Sequence, residues 1–190
     1  MKSFAQIESQ MRKLGYRFFT NGDYNLNIIG IRNKQLNTNT FNDELHLIYK
    51  VGGRWVDNRF EITTEPGFRL LKNPMNSKGC AILVPGQYNS CYQLGLHKGK
   101  YTALVQRASV KVYRDSNRDT IVDMNPRTID EGYFGINIHK AGTDSKIVDN
   151  WSGGCQVFKR EVDFNKFIEV CKRSSKLYGN KFTYTLLNDW

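Results

Sequence analysis

Phe4, Ile7, Met11 and Leu14 recur at three- and four-residue steps, a spacing that puts them on one face of a helix. Ser3 and Gln6 stand at capping-box spacing, and Gly15 offers a C-terminal stop. A helix over 4–14 is expected, too short to stand alone in water and so laid against the rest of the chain. The period then changes. Leu26–Arg32, Leu45–Val51, Arg54–Ile62, Cys80–Val84, Tyr101–Arg114 and Tyr133–His139 are rich in β-branched and aromatic residues and predict six strands. Gly52-Gly53, Pro66-Gly67, Pro85-Gly86 and Lys98-Gly99-Lys100 punctuate them as turns. A second helical period follows, with Asp163 as its cap and Phe164, Phe167, Ile168, Cys171 and Tyr178 on one face. Gly179 ends it, and Phe182–Leu187 predicts a last strand. The expectation is a single, mainly β domain over residues 1–190, sandwich- or barrel-like, with a short N-terminal helix and one C-terminal helix.

The totals agree with that fold. A chain of 190 residues with 39% hydrophobic and 13% aromatic content can bury a sizeable core. No apolar run approaches the ~20 residues of a membrane span. The segment Met1–Glu8 has neither an apolar core nor a small-residue cleavage site, so synthesis in the cytoplasm without the general secretion signal is expected. Four cysteines at irregular spacing, with no C-x-x-C pair, argue against both a disulfide framework and a structural zinc. Cys80 and Cys171 read as buried apolar fillers, with Cys91 open. A formal charge of +10 points to an anionic partner: nucleic acid, a membrane surface or a cell wall. Seven basic against three acidic residues between Lys159 and Lys181 concentrate part of it near the second helix.

The chemistry-bearing stretch is Ile136-Asn137-Ile138-His139, followed by Ser152-Gly153-Gly154-Cys155, whose cysteine stands sixteen residues after the histidine. On a strand, Asn137 and His139 share one face while Ile136 and Ile138 take the other, so Asn137 is placed to orient the imidazole or a substrate amide. A thiol attacks as thiolate, and a nearby imidazole can take its proton. Two glycines before the cysteine let backbone N–H groups be aimed at a developing oxyanion. Each residue also has a plainer reading: His139 as a half-buried histidine on a carbonyl, Cys155 as an inert thiol, Ser152 as a turn former.

The order of strand histidine, loop, Ser152, one residue, Gly154 and Cys155 resembles the signature of the L,D-transpeptidase catalytic domain. Ile62-Thr63-Thr64-Glu65-Pro66-Gly67 is similar to that family's Thr-Pro-x-Gly turn, and the segment, helix and strand after Cys155 match its closing elements. The resemblance covers residues 25–190, leaving 1–24 as a helical extension. It departs at Gly153, where the family usually has a second histidine, at Val157, where it tends to have arginine or asparagine, and in a shorter loop from Lys140 to Trp151. The resemblance implies a peptidoglycan stem-peptide enzyme working through a cysteine thioester. Cys155 is then the nucleophile and His139 the base, with the amides of Gly153, Gly154 and Cys155 as oxyanion donors. A backbone carbonyl would serve as third partner of the histidine, with Asp149 a remote alternative. Hydrolysis in a phage or prophage lysis or virion context is favoured; transpeptidation, or a non-catalytic virion or wall-binding protein, are the alternatives.

His97 and Trp151 are expected to line a substrate groove; Trp151 reads equally well as a core aromatic. No cofactor is expected, because no phosphate-binding glycine loop precedes a helix. No metal is expected either. Asp115-Ser116-Asn117-Arg118-Asp119 with Asp123 opens like a calcium loop but lacks its glycine and its final glutamate, and so reads as a hairpin tip. His46, His97 and His139 lack paired ligand spacing for zinc. No nucleic-acid module is recognisable. The expected partner is peptidoglycan, with no nucleic acid and no membrane span, and the chain is expected to be a monomer acting in the periplasm or cell wall.

Overall fold

The helix at the N-terminus forms over Phe4–Lys13 (α1), with Ser3 and Gln6 making the reciprocal capping box. A computed structural model describes residues 2–35 and 37–190; Met1, where the reading for a secretion signal begins, lies outside the described residues. Eleven strands follow among them: β1 Asn27–Arg32, β2 Asp43–Val51, β3 Arg54–Thr63, β4 Cys80–Leu83, β5 Gly86–His97, β6 Tyr101–Gln106, β7 Val110–Asp115, β8 Asp130–Gly132, β9 Ile138–Lys140, β10 Gln156–Phe158 and β11 Phe182–Asn188. A one-turn helix, α2, spans Phe68–Lys72, and α3 runs over Glu161–Tyr178. None of the helices is long and apolar enough to cross a membrane.

Eight strands close into a barrel in the order β1-β11-β5-β6-β9-β10-β3-β2, and β4-β7-β8 form a separate small sheet. The chain is thus mainly β, with a helix near each end. Two pairings in the barrel are parallel, β1 with β11 and β9 with β10. Alternation sorts the side chains. Leu45, Leu47, Ile62, Leu104, Ile138, Phe158 and Leu186 enter one core, to which the small sheet adds Leu83 and Val112 and α3 adds Phe164, Phe167 and Cys171. Burying a side chain of this size contributes about 1.5–3 kcal/mol. On the outer face, Ile7 and Met11 of α1 cover Ile29, Ile31, Ile48 and Leu187, which explains the helix's narrow apolar stripe.

The differences from the sequence expectation have physical causes. The long strand expected over Tyr101–Arg114 is two strands, because Arg107-Ala108-Ser109 carries the chain from the barrel to the small sheet. Strand β5 was not anticipated; its mixed glycine, asparagine and glutamine content hides its alternation, and β11 and β6 hold it on both sides. Helix α3 begins after Arg160 rather than at Asp163, whose carboxylate instead pairs with Arg160 in the first turn.

Candidate active site

The parallel register of β9 and β10 puts Gln156 opposite Ile138 and Val157 opposite His139. Ile138 and Phe158 point into the barrel, so His139, Asn137, Val157 and Cys155 share its outer face, with the nucleophile candidate just before β10. The Cys155 sulfur donates to Gly135 O at 3.3 Å and accepts the Asn137 N–H at 3.5 Å. No hydrogen bond joins it to an imidazole among the described residues. His139 is buried, and its Nδ1 donates to Lys140 O at 2.8 Å. That carbonyl also accepts from Tyr101 Oη at 3.4 Å. With the proton held on Nδ1, the Nε2 lone pair is the free position of the neutral ring.

A second imidazole lies on the first. The His97 ring stacks on His139 with centroids 4.1 Å apart and planes 24° from parallel. The β5–β6 hairpin puts it there: Lys98, Gly99 and Lys100 make a three-residue turn with Lys98 and Gly99 at positive φ, Lys100 N–H bonds His97 O, and His97 faces Tyr101. Asn137 holds the second ring rather than the first. Its Oδ1 accepts the Gln106 N–H at 2.9 Å, so its amide nitrogen donates to His97 Nδ1 at 3.1 Å. Neutral His97 therefore carries its proton on Nε2.

Both rings are kept neutral. Burial, the neighbouring His97 and Lys98 depress the His139 pKa to about 3 against the opposing Lys140 carbonyl. Burial and Lys98 lower that of His97. Burial raises the Cys155 thiol, opposed by the Asn137 N–H and Lys98. These shifts favour an uncharged thiol and uncharged imidazoles over thiolate and imidazolium.

The turn before Cys155 is built by Ser152, which is buried. Its Oγ donates to Cys155 O at 2.9 Å and accepts the Gly154 N–H at 3.1 Å. Ser152 thus shapes the turn and makes no bond to the imidazole. The Gly154 amide, expected among the oxyanion donors, is already taken. The N–H groups of Gly153 and Cys155 have no acceptor among the described residues. Gly154 has φ +126°, and a Cβ there would lie 1.8 Å from Ala81 O, so no other residue fits. Below the turn, Gln156 accepts from Tyr184 Oη at 2.7 Å and donates to Gly154 O at 3.3 Å. The Pro66-Gly67 turn braces it from outside, with Gly67 N–H donating to Ser152 O at 2.9 Å.

Trp151 is 43% exposed and lies against Gly142, so it is not a core aromatic. Asp149 makes no contact with His139; its N–H donates to Asn39 and its backbone packs on Gly67. His46 sits across the barrel on β2 between Asp57 and Glu44, away from the other two histidines. The Asp115–Asp123 segment satisfies itself: Asn117 donates to Asp119 and Asp123, and Asp123 N–H donates to Asp115. All four cysteines are free thiols.

Two groups escaped the sequence. Tyr101 and Gln106 complete the imidazole pair; the Lys98-Gly99-Lys100 turn, taken as a three-residue hairpin loop, would have placed Tyr101 opposite His97. A buried cluster of Arg32, Asp43, Thr64 and Glu65 supports the turn at Pro66. In it, burial and Asp43 raise the Glu65 pKa to about 7 despite Arg32. A cleft of about 630 Å³ is lined by Leu70, Met75, Cys80, Phe134 and Gly153, with Lys78 and Arg114 both paired to Asp130; Cys155, His139, His97 and Trp151 are not in its lining. No protein-family profile, curated protein or solved structure matches the chain.

Proposed function

We propose that the chain is an L,D-transpeptidase-like enzyme that opens peptidoglycan stem peptides through a Cys155 thioester, with water resolving the thioester. One observation carries the reading. Cys155, just before β10, shares a face with His139 of the parallel neighbour β9, and His139 has Nδ1 tied to a carbonyl and Nε2 unpartnered among the described residues. In the proposed reaction, Cys155 Sγ bonds to the substrate carbonyl carbon and the thiol proton passes to His139 Nε2. The C–N bond then breaks and that proton leaves with the amine. Water next attacks the thioester, returning a proton to the thiol and releasing the acid. The unpartnered N–H groups of Gly153 and Cys155 serve as oxyanion donors, each worth about 3 kcal/mol of transition-state stabilisation. The cleft beside Gly153 takes the peptide, and the net charge of +10 concentrates the protein on an anionic wall.

The Cys155 thiol, however, donates to Gly135 O rather than to a ring nitrogen. That favours, as the second reading, a wall-binding protein that keeps the geometry without the chemistry. Mass spectrometry of muropeptides from sacculi treated with the protein and with Cys155→Ala separates the two. New stem-peptide termini made only by the parent support hydrolysis, and exchanged termini support transpeptidation. Identical digests with retention on the wall support binding alone.

A further inference from the structure

Three observations about His97 stand outside the roles of nucleophile, base and oxyanion amides. Its ring is stacked on His139, with centroids 4.1 Å apart. Its tautomer is fixed by a chain that starts in the backbone: Gln106 N–H to Asn137 Oδ1, and Asn137 Nδ2 to His97 Nδ1. The third concerns the free nitrogens. Tyr92 Oη is the one fully buried side-chain polar atom lacking a partner among the described residues. The Nε2 atoms of His97 and His139 also have no hydrogen-bond partner there, in residues that are 6% and 3% exposed. The stacked pair therefore offers two different unpaired edges: a lone pair on His139 and an N–H on His97.

We infer that His97 is a second imidazole of the reaction, whose Nε2–H donates a hydrogen bond to the carbonyl oxygen of the substrate as Cys155 attacks. The inference rests on the thioester reading above. It also fills a gap in that reading, because Ser152 occupies the Gly154 amide and leaves only two backbone donors for the oxyanion. His97 moves no proton. The thiol proton goes to His139 and on to the leaving amine, while His97 keeps its own, since giving it up would require an imidazolate. It must also stay uncharged, because a cation on either ring disfavours one on the other at this separation. The charged and titratable groups around the pair are Lys98 in the turn, Tyr101 on β6, Lys140 with its partner Glu161 on α3, and Cys155. A neutral imidazole used as a hydrogen-bond donor to a carbonyl is an established catalytic device.

The test compares two reagents on the whole chain, read by intact-mass kinetics at Cys155. Iodoacetamide alkylates at a saturated carbon and develops no oxyanion; p-nitrophenyl acetate acylates through one. His97→Phe keeps a stacked ring without the donor, and His97→Gln restores an N–H near the Nε2 position. His97→Phe is expected to slow acylation about 100-fold while leaving alkylation within about two-fold, with His97→Gln recovering part of the loss. His139→Ala should slow both reactions. The inference is overturned if His97→Phe leaves acylation unchanged, or if it slows both reagents equally, as a packing role would. If the parent's Cys155 reacts no faster than Cys91 with either reagent, the thioester reading itself falls and takes this one with it.

Discussion

His46 and His139 both project from the outer face of the same barrel, both are buried, and they are held in opposite ways. The ring of His46 has a carboxylate on each nitrogen, Asp57 at 3.0 Å from Nδ1 and Glu44 at 3.3 Å from Nε2. The ring of His139 has one carbonyl on Nδ1, a second ring against its face, and nothing on Nε2 among the described residues. The first arrangement saturates the imidazole and leaves it no capacity for chemistry. The second spends one nitrogen on orientation and leaves the other unpaired among the described residues. Burial alone thus does not distinguish the two histidines; the count of satisfied nitrogens does.

Exchanging the two histidines gives the largest effect. His139→Ala is expected to lower the acylation rate of Cys155 by about 100-fold or more, whereas His46→Ala leaves it within about two-fold. Equal losses in a stopped-flow assay would erase the distinction. Stability should divide the other way. His46→Ala removes the common partner of Asp57 and Glu44, leaving Asp57 with Arg59 alone, and urea unfolding should show a cost of about 1 kcal/mol.

A smaller effect concerns pH. His139 titrates near 3 in the fold against about 6.5 when unfolded, so between those values the unfolded chain binds the extra proton and stability falls as pH drops. Glu65, raised to about 7, acts in the opposite direction, because the native state holds its proton between about 4.5 and 7. The difference between the parent and His139→Gln removes Glu65 from the comparison. From pH 6.5 to 5.5 the parent should lose about 1 kcal/mol relative to the variant in denaturant midpoints taken at each pH. A parallel pair of curves would show that His139 is not held neutral.

The smallest effect sharpens the meaning of an unpartnered atom. Tyr92 Oη is fully enclosed and unsatisfied, whereas the unpartnered His139 Nε2 is not among the fully enclosed atoms. Tyr92→Phe should therefore raise the thermal midpoint, by no more than the equivalent of about 1 kcal/mol. A loss of that size would reveal a bound water or another partner at the hydroxyl.

The sequence by itself determined the elements whose signal is local. The capping box at Ser3 and Gln6, the period of Phe164, Phe167, Ile168 and Cys171, and the alternation of Ile136 to His139 depend on near neighbours, and each places its side chains as expected, although the strand expected over Tyr133–His139 forms only as Ile138–Lys140. The same alternation put His139 and Asn137 on one face, and the glycines framed Cys155. Tertiary structure decided what those residues touch. Only the hairpin through Lys98-Gly99 brings His97 over His139, a residue 42 positions away, and only the Gln106 amide turns Asn137 toward His97 instead of His139. The carboxylates that saturate His46 come from its own strand and the next, where register and not composition selects the partner. Periodicity reports which face a side chain takes. The barrel's closure decides which other side chain meets it there, because that contact is set by strand order and register, quantities a linear pattern does not carry.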